Sequence, residues 1–150
     1  MNTTLFYSSI IIGIVIIAIS IYFYSQSLLP LYVITYIGIV TSIMNHGLTS
    51  KVAKNLDRII MLISAIIYIY YGVNMKNEIM QMATLSAVGI MALLYVSSKY
   101  IKENVYSDSD NKLPTYIHIM VHIISLLLFC GIVINEYWKN KQPHMDNISV

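Results

Sequence analysis

Fifty residues pass in this chain before the first charged side chain, Lys51. A soluble domain carries about 25% charged residues; here Asp, Glu, Lys and Arg make up 11% of 150 residues, against 57% apolar ones. That balance excludes a water-facing surface for most of the length. The uncharged opening stretch alone suffices for two passes through a hydrocarbon core, which takes about 20 helical residues per crossing. The expected fold class is therefore an all-α integral membrane protein, a single helical bundle with no separate soluble domain.

Polar clusters cut the hydropathy into five apolar segments, each near the length that spans a bilayer. They predict helices at about 5–24, 29–49, 56–73, 79–99 and 115–138 of the sequence. Ser25, Gln26, Ser27 and Pro30 mark a tight turn between the first two, with Pro30 suited to a first helical turn. The loop at 50–55 holds Lys51 and Lys54, and a short hairpin with Lys76 and Glu78 precedes the fourth helix. The one long polar stretch joins the fourth helix to the fifth, and residues 139–150 read as a disordered tail. The first segment does not fit a secretory signal: it lacks a basic start, its apolar run is too long, and Tyr22, Phe23 and Tyr24 stand where small residues would be cleaved.

An odd number of passes sets the termini on opposite sides. Lys51, Lys54, Arg58, Lys99, Lys102 and Lys112 gather on the side of the N-terminus, against Lys76, Lys139 and Lys141 on the other. The excess predicts a cytosolic N-terminus and an exoplasmic sequon at Asn147-Ile148-Ser149. The single cysteine, Cys130, lies within the last apolar run and rules out an intrachain disulfide. No repeat, glycine-rich phosphate loop or basic and aromatic patch is present, so no nucleic-acid partner is expected. The richness in Ile, Tyr and Asn resembles the codon bias of an AT-rich genome, as in a virus or parasite.

An ionisable group at membrane depth costs a few kcal/mol unless it is paired, ligating or hydrated, which makes the polar residues inside the helices the informative ones. They are His46, Asp57, Arg58, His118 and His122. His118 and His122 stand four apart and project from one helix face one turn apart. Ser42 and His46 repeat that spacing at the far end of the second helix, and Asp57 opens the third. With helices alternating in direction, the end of the second and the starts of the third and fifth share one side of the membrane whichever way the bundle is inserted. Ser42, His46, Asp57, His118 and His122 can therefore meet in one leaflet. Three histidines with a fourth position open to water form the ligand set of a catalytic zinc, whose bound water reaches a pKa of about 7. In such a set Asp57 orients that water and takes its proton, and Ser42 hydrogen-bonds the water or the developing oxyanion.

The pattern of Ser42 and His46, then Leu56-Asp57, then His118 and His122 on the final helix resembles the signature of the alkaline ceramidase superfamily. That group of heptahelical membrane proteins includes the progestin and adiponectin receptors and haemolysin-III-like relatives. The stretches Ser42-Ile-Met-Asn-His46-Gly-Leu-Thr and Leu56-Asp57-Arg58-Ile-Ile-Met61 are similar to the ceramidase form. The resemblance implies zinc on His46, His118 and His122, with Ser42 and Asp57 around its water, and hydrolysis of a lipid amide such as that of ceramide. It covers the second, third and fifth helices. Five helices stand where the family has seven, Val121 replaces the aromatic residue usual before the last histidine, and no acidic calcium motif precedes the first helix.

Each residue also has a plainer explanation. Membrane histidines hydrogen-bond across helices, Asp57 suits a helix N-terminus, Arg58 suits an interfacial anchor, and Ser42 with Gly38, like Ala83 with Ala87, suits close helix packing. Tyr68, Tyr70, Tyr71, Tyr95 and Tyr100 read as aromatic belts, and the nine methionines as lipid-facing or gap-filling groups. The expectation is a zinc-dependent membrane hydrolase cleaving an amide or ester of a lipid taken from the bilayer, in an endomembrane or a viral envelope. The alternatives are a non-catalytic multi-pass protein, receptor-like, structural for zinc or a viral membrane factor, and a metal-free viroporin.

Overall fold

The computed structural model describes residues 2–48, 50–101 and 112–146, with side chains through 139. Among the described residues it is helical and without strands: α1 (Thr3–Tyr22), a 3-10 turn (Gln26–Leu28), α2 (Leu29–Gly47), α3 (Lys51–Val73), α4 (Glu78–Tyr100) and α5 (Leu113–Asp146). All five α-helices are long and apolar enough to cross a membrane, the build of an integral multi-pass membrane protein. Each packs on its chain neighbours, and α5 closes on α1. The result is an up-and-down ring of five helices around a central space.

The helix starts follow from local chemistry. The Asn2, Ser50 and Asn77 side chains accept from the backbone N–H of Leu5, Ala53 and Met80, each satisfying one of the donors that a first turn leaves unpaired. The Ser50 cap explains why α3 begins at Lys51 and not at 56: two lysines do not prevent a helix once the cap is in place. Asp57 consequently lies almost two turns into α3 rather than at its start, beyond the reach of the helix-end dipole, which fades within the first turn. Likewise α5 continues past the apolar run to Asp146, with an i,i+3 ion pair of Lys139 and Glu136 at 3.1 Å on the way. The expected tail is helical to that point, while 147–150, the sequon and residues 102–111 lie outside the described residues.

The packed core occupies one end of the ring, around the turn from α1 to α2 and the C-terminal half of α5. Leu28, Leu31, Phe129, Ile132 and Val133 are fully buried there. Tyr68 and Tyr71 belong to this core, at 3% and 9% exposure, and correct the belt reading for those two. The Tyr71 hydroxyl donates to the Ser27 carbonyl at 2.7 Å and that of Tyr32 to Phe23 at 2.9 Å, so their polar tips are satisfied inside the protein and need no membrane interface. Tyr70 and Tyr100 are exposed as expected. Where α3 turns into α4 the helices nearly touch. A Cβ on Gly72 would stand 2.8 Å from the Thr84 methyl.

At the opposite end, Asn2 fastens three helices. Its backbone N–H donates to the His46 carbonyl at 3.1 Å and its side-chain amide to the Thr115 hydroxyl at 3.2 Å. There the start of α1, the end of α2 and the start of α5 are joined.

Candidate metal centre

His46 comes from the last turn of α2, and His118 and His122 from successive turns of α5. The fold brings all three together: one ring nitrogen from each lies within 4.8 Å of the others. Ring centroids are 5.0 Å apart for His118 and His122, 5.2 Å for His46 and His118, and 5.7 Å for His46 and His122. A tetrahedral ion with Zn–N bonds of about 2.0–2.1 Å sets its nitrogens about 3.4 Å apart. The set fits after rotamer shifts of about an ångström, small for side chains in which His118 packs edge to face on both His46 and His122.

The hydrogen bond at His122 bears on that fit. Its Nδ1 lies 3.0 Å from the Ser8 hydroxyl, which itself donates to the Leu5 carbonyl at 2.9 Å. A hydroxyl has one proton. With that proton on Leu5, Ser8 accepts from Nδ1–H, and the lone pair of His122 is left on Nε2. A ring nitrogen held in this way by an outer partner is the usual arrangement for a ligating histidine. His118 is steadied on its other side by the Tyr95 ring, 5.8 Å away between centroids.

Asp57 is 3% exposed and held by α2. The Asn45 amide donates to its Oδ2 at 2.7 Å, and the Thr41 hydroxyl lies 3.4 Å from Oδ1. The one Thr41 proton has a nearer acceptor in the Gly38 carbonyl at 3.1 Å, so the Asn45 amide is the firm donor that makes this buried carboxylate tolerable. Ser42 lies on the same wall, its hydroxyl 3.1 Å from that of Ser9, whose own proton goes to the Leu5 carbonyl at 2.9 Å. The Ser42 proton therefore points at Ser9 in the resting arrangement.

Ser42, Asp57, His118 and His122 line one cavity of about 480 Å³ inside the ring, within the range of small-ligand sites. Its walls are otherwise mostly apolar, from Ile12 and Ile16 to Val88 and Met91. At its deep end the Tyr68 hydroxyl lies 3.3 Å from that of Thr35. His46 stands behind the other two imidazoles at 8% exposure.

All five residues singled out in the sequence thus fall at one end of the ring, four on the cavity wall and the fifth among the imidazoles. Sequence reasoning missed their supports. Ser8 and Ser9 come from α1, which entered no motif, and their only signal was a pair of adjacent hydroxyls in a mostly apolar helix. Thr41 and Asn45 flank Ser42 and His46 in sequence and were legible as further polar groups on a membrane helix. No family model, curated protein or solved structure matches the chain.

Proposed function

We propose that this protein is a zinc-dependent membrane hydrolase that cleaves an amide or ester bond of a lipid, in the manner of the ceramidase-like family its motif resembles. One observation carries the reading: three imidazoles from α2 and α5 bring one ring nitrogen each within 4.8 Å of the others, two of them on the wall of a mostly apolar cavity of about 480 Å³. His46, His118 and His122 hold the metal, which when bound supplies a Lewis acid and activates water near neutral pH. Asp57 accepts the proton from the attacking water on a carboxylate oxygen, Asn45 keeping that carboxylate in place. Ser42 turns its proton from Ser9 to the oxyanion of the cleaving bond. The apolar wall takes up the lipid chain and excludes water from the far side of the bond. Basic side chains gather at the site end of the bundle, which by the positive-inside rule puts the N-terminus and the site on the cytosolic side of an endomembrane or viral envelope.

One feature favours a second reading. The Asp57 carboxylate is buried and tied to α2 by the Asn45 amide at 2.7 Å, as a purely structural carboxylate would be, and this suits a non-catalytic multi-pass protein that holds zinc for stability. A single experiment separates the two. Zinc content and turnover of a ceramide-type amide are measured on purified wild type and on His118→Ala, His122→Ala and Asp57→Ala. The hydrolase reading expects about one zinc per chain in wild type, loss of it in both histidine variants, and zinc retained with turnover abolished in Asp57→Ala. Wild type that purifies without zinc from zinc-containing medium overturns both readings; zinc without turnover of any lipid amide or ester leaves the second.

A further inference from the structure

The cavity has an opening with its own chemistry. Leu62 of α3 and Val96 of α4 both line the cavity, yet they are 69% and 63% exposed. The wall between these two helices is therefore open at that level, towards the surface that lipid covers. At their other end the same helices meet at the Gly72 and Thr84 contact, so the gap widens away from the hairpin and towards the metal centre.

Two cations stand on the rim of this gap. Arg58 is four residues before Leu62 on α3, and Lys99 three after Val96 on α4. Because the helices run in opposite directions, both steps lead the same way, about 5 Å nearer the site end at 1.5 Å per residue. Arg58 and Lys99 also line the cavity, and among the described residues neither forms an ion pair with an acidic group. Among the described residues Asp57 is the one carboxylate on the cavity wall against these two cations, and its Oδ2 is taken by the Asn45 amide of α2. The opening thus has apolar lips at membrane depth and a cationic rim one turn closer to the interface.

We infer that the gap between α3 and α4 is the lateral entrance for a lipid carrying an anionic oxyacid group, a carboxylate or a phosphate, gripped by Arg58 and Lys99 while its chain passes Leu62 and Val96 into the cavity. Guanidinium suits this task because its fork of N–H donors matches two oxygens of such a group. Among the described residues only Asp57 offers these two cations a nearby negative charge, and a neutral lipid adds none. The inference narrows the hydrolase reading from neutral amides such as ceramide to lipid amides or esters that carry an acidic group; it rests on that reading for the fate of the lipid, but not for its binding.

The test is native mass spectrometry of the full chain released from a neutral maltoside micelle, with oleic acid, oleoyl lysophosphatidic acid, monooleoylglycerol and inorganic phosphate as separate probes. The two anionic lipids are expected to bind at least about tenfold more tightly than monooleoylglycerol, and inorganic phosphate not to displace them. In Arg58→Gln with Lys99→Gln that preference disappears while monooleoylglycerol affinity is unchanged, and Arg58→Lys recovers part of it. Leu62→Trp, which narrows the lips, weakens all three lipids alike. Equal affinity for acid and monoglyceride in wild type, an anion preference that survives the double variant, displacement by phosphate alone, or indifference to Leu62→Trp each overturns the assignment. Zinc measured on the same samples keeps the two readings apart: anion-selective binding without zinc defeats the hydrolase and not the entrance, and zinc without anion selectivity does the reverse.

Discussion

Where α1 turns into α2, the ring is filled by Leu28, Leu31, Phe129, Ile132 and Val133, all fully buried. At the other end the same five helices enclose a cavity of about 480 Å³ with serines, a carboxylate and imidazoles on its wall. The first end is held mainly by shape, with the Tyr32 and Tyr71 hydroxyls bonded into it, and the second mainly by hydrogen bonds between side chains of different helices. In lipid this distinction matters more than in water, because helices gain nothing from burying apolar surface that lipid already covers and depend on close packing and polar contacts. The packed end can thus act as the scaffold that lets the polar end stay partly empty.

The comparison breaks most readily at Phe129. Its truncation to alanine is expected to cost about 3 kcal/mol, the low end of aromatic-to-alanine losses because the transfer component is absent in lipid, while zinc binding per folded molecule stays intact. Unfolding in a graded denaturing detergent, with zinc content measured on the folded fraction, checks both parts. If zinc is lost along with stability, the two ends are one unit. The reverse perturbation is removal of metal. Zinc at 100 times its dissociation constant adds about 2.7 kcal/mol to the state that binds it, and a chelator should remove that increment. Hydrogen exchange should then rise in the first turns of α5 and the last turn of α2 and not around Phe129. Uniform loosening would contradict the division.

Smaller effects sharpen it. Gly72→Ala places a methyl against the branched Thr84 side chain at 2.8 Å and is expected to cost about 2 kcal/mol through overpacking. Gly89, with nothing within 4 Å of an added Cβ, should accept alanine with a slight gain from helix propensity. Thermal melts of the two variants side by side give the contrast. Tyr68→Phe removes a hydroxyl that contacts both Thr35 and Ser125 at the boundary between the two ends. About 1 kcal/mol, two hydrogen bonds at the average for membrane helices, is its expected cost in the same assay, with lipid binding retained.

What the sequence revealed follows the same division. Helix number and approximate bounds were legible because the hydrocarbon core imposes both length and apolarity, and the meeting of Ser42, His46, Asp57, His118 and His122 at one end followed from alternation of direction alone. The start of α3 was not, because Lys51 and Lys54 obscured the Ser50 cap. Tyr68 and Tyr71 were misread as belts because a tyrosine near a helix end serves a membrane interface and a protein core equally well, and only the partner of its hydroxyl distinguishes them. Ser8 and Ser9 escaped because an isolated hydroxyl in a membrane helix can satisfy itself on its own backbone. Both do so at Leu5 while also bonding across to α5 and α2. The gap between α3 and α4 depends on how far apart two helices splay, which no residue pattern states.

The bond from Ser8 to His122 links positions 114 residues apart, the first helix to the last. During synthesis α1 enters the membrane long before α5 is made; Ser9 meets Ser42 as soon as α2 follows, but until α5 arrives Ser8 has its own backbone at Leu5 to bond. The ring closes, and a place for a metal first exists, when the final helix arrives. Metal capture would then mark completed assembly, and a chain halted after α4 would present an open cavity without an ion: a form that quality-control proteases in the membrane could distinguish from the finished protein.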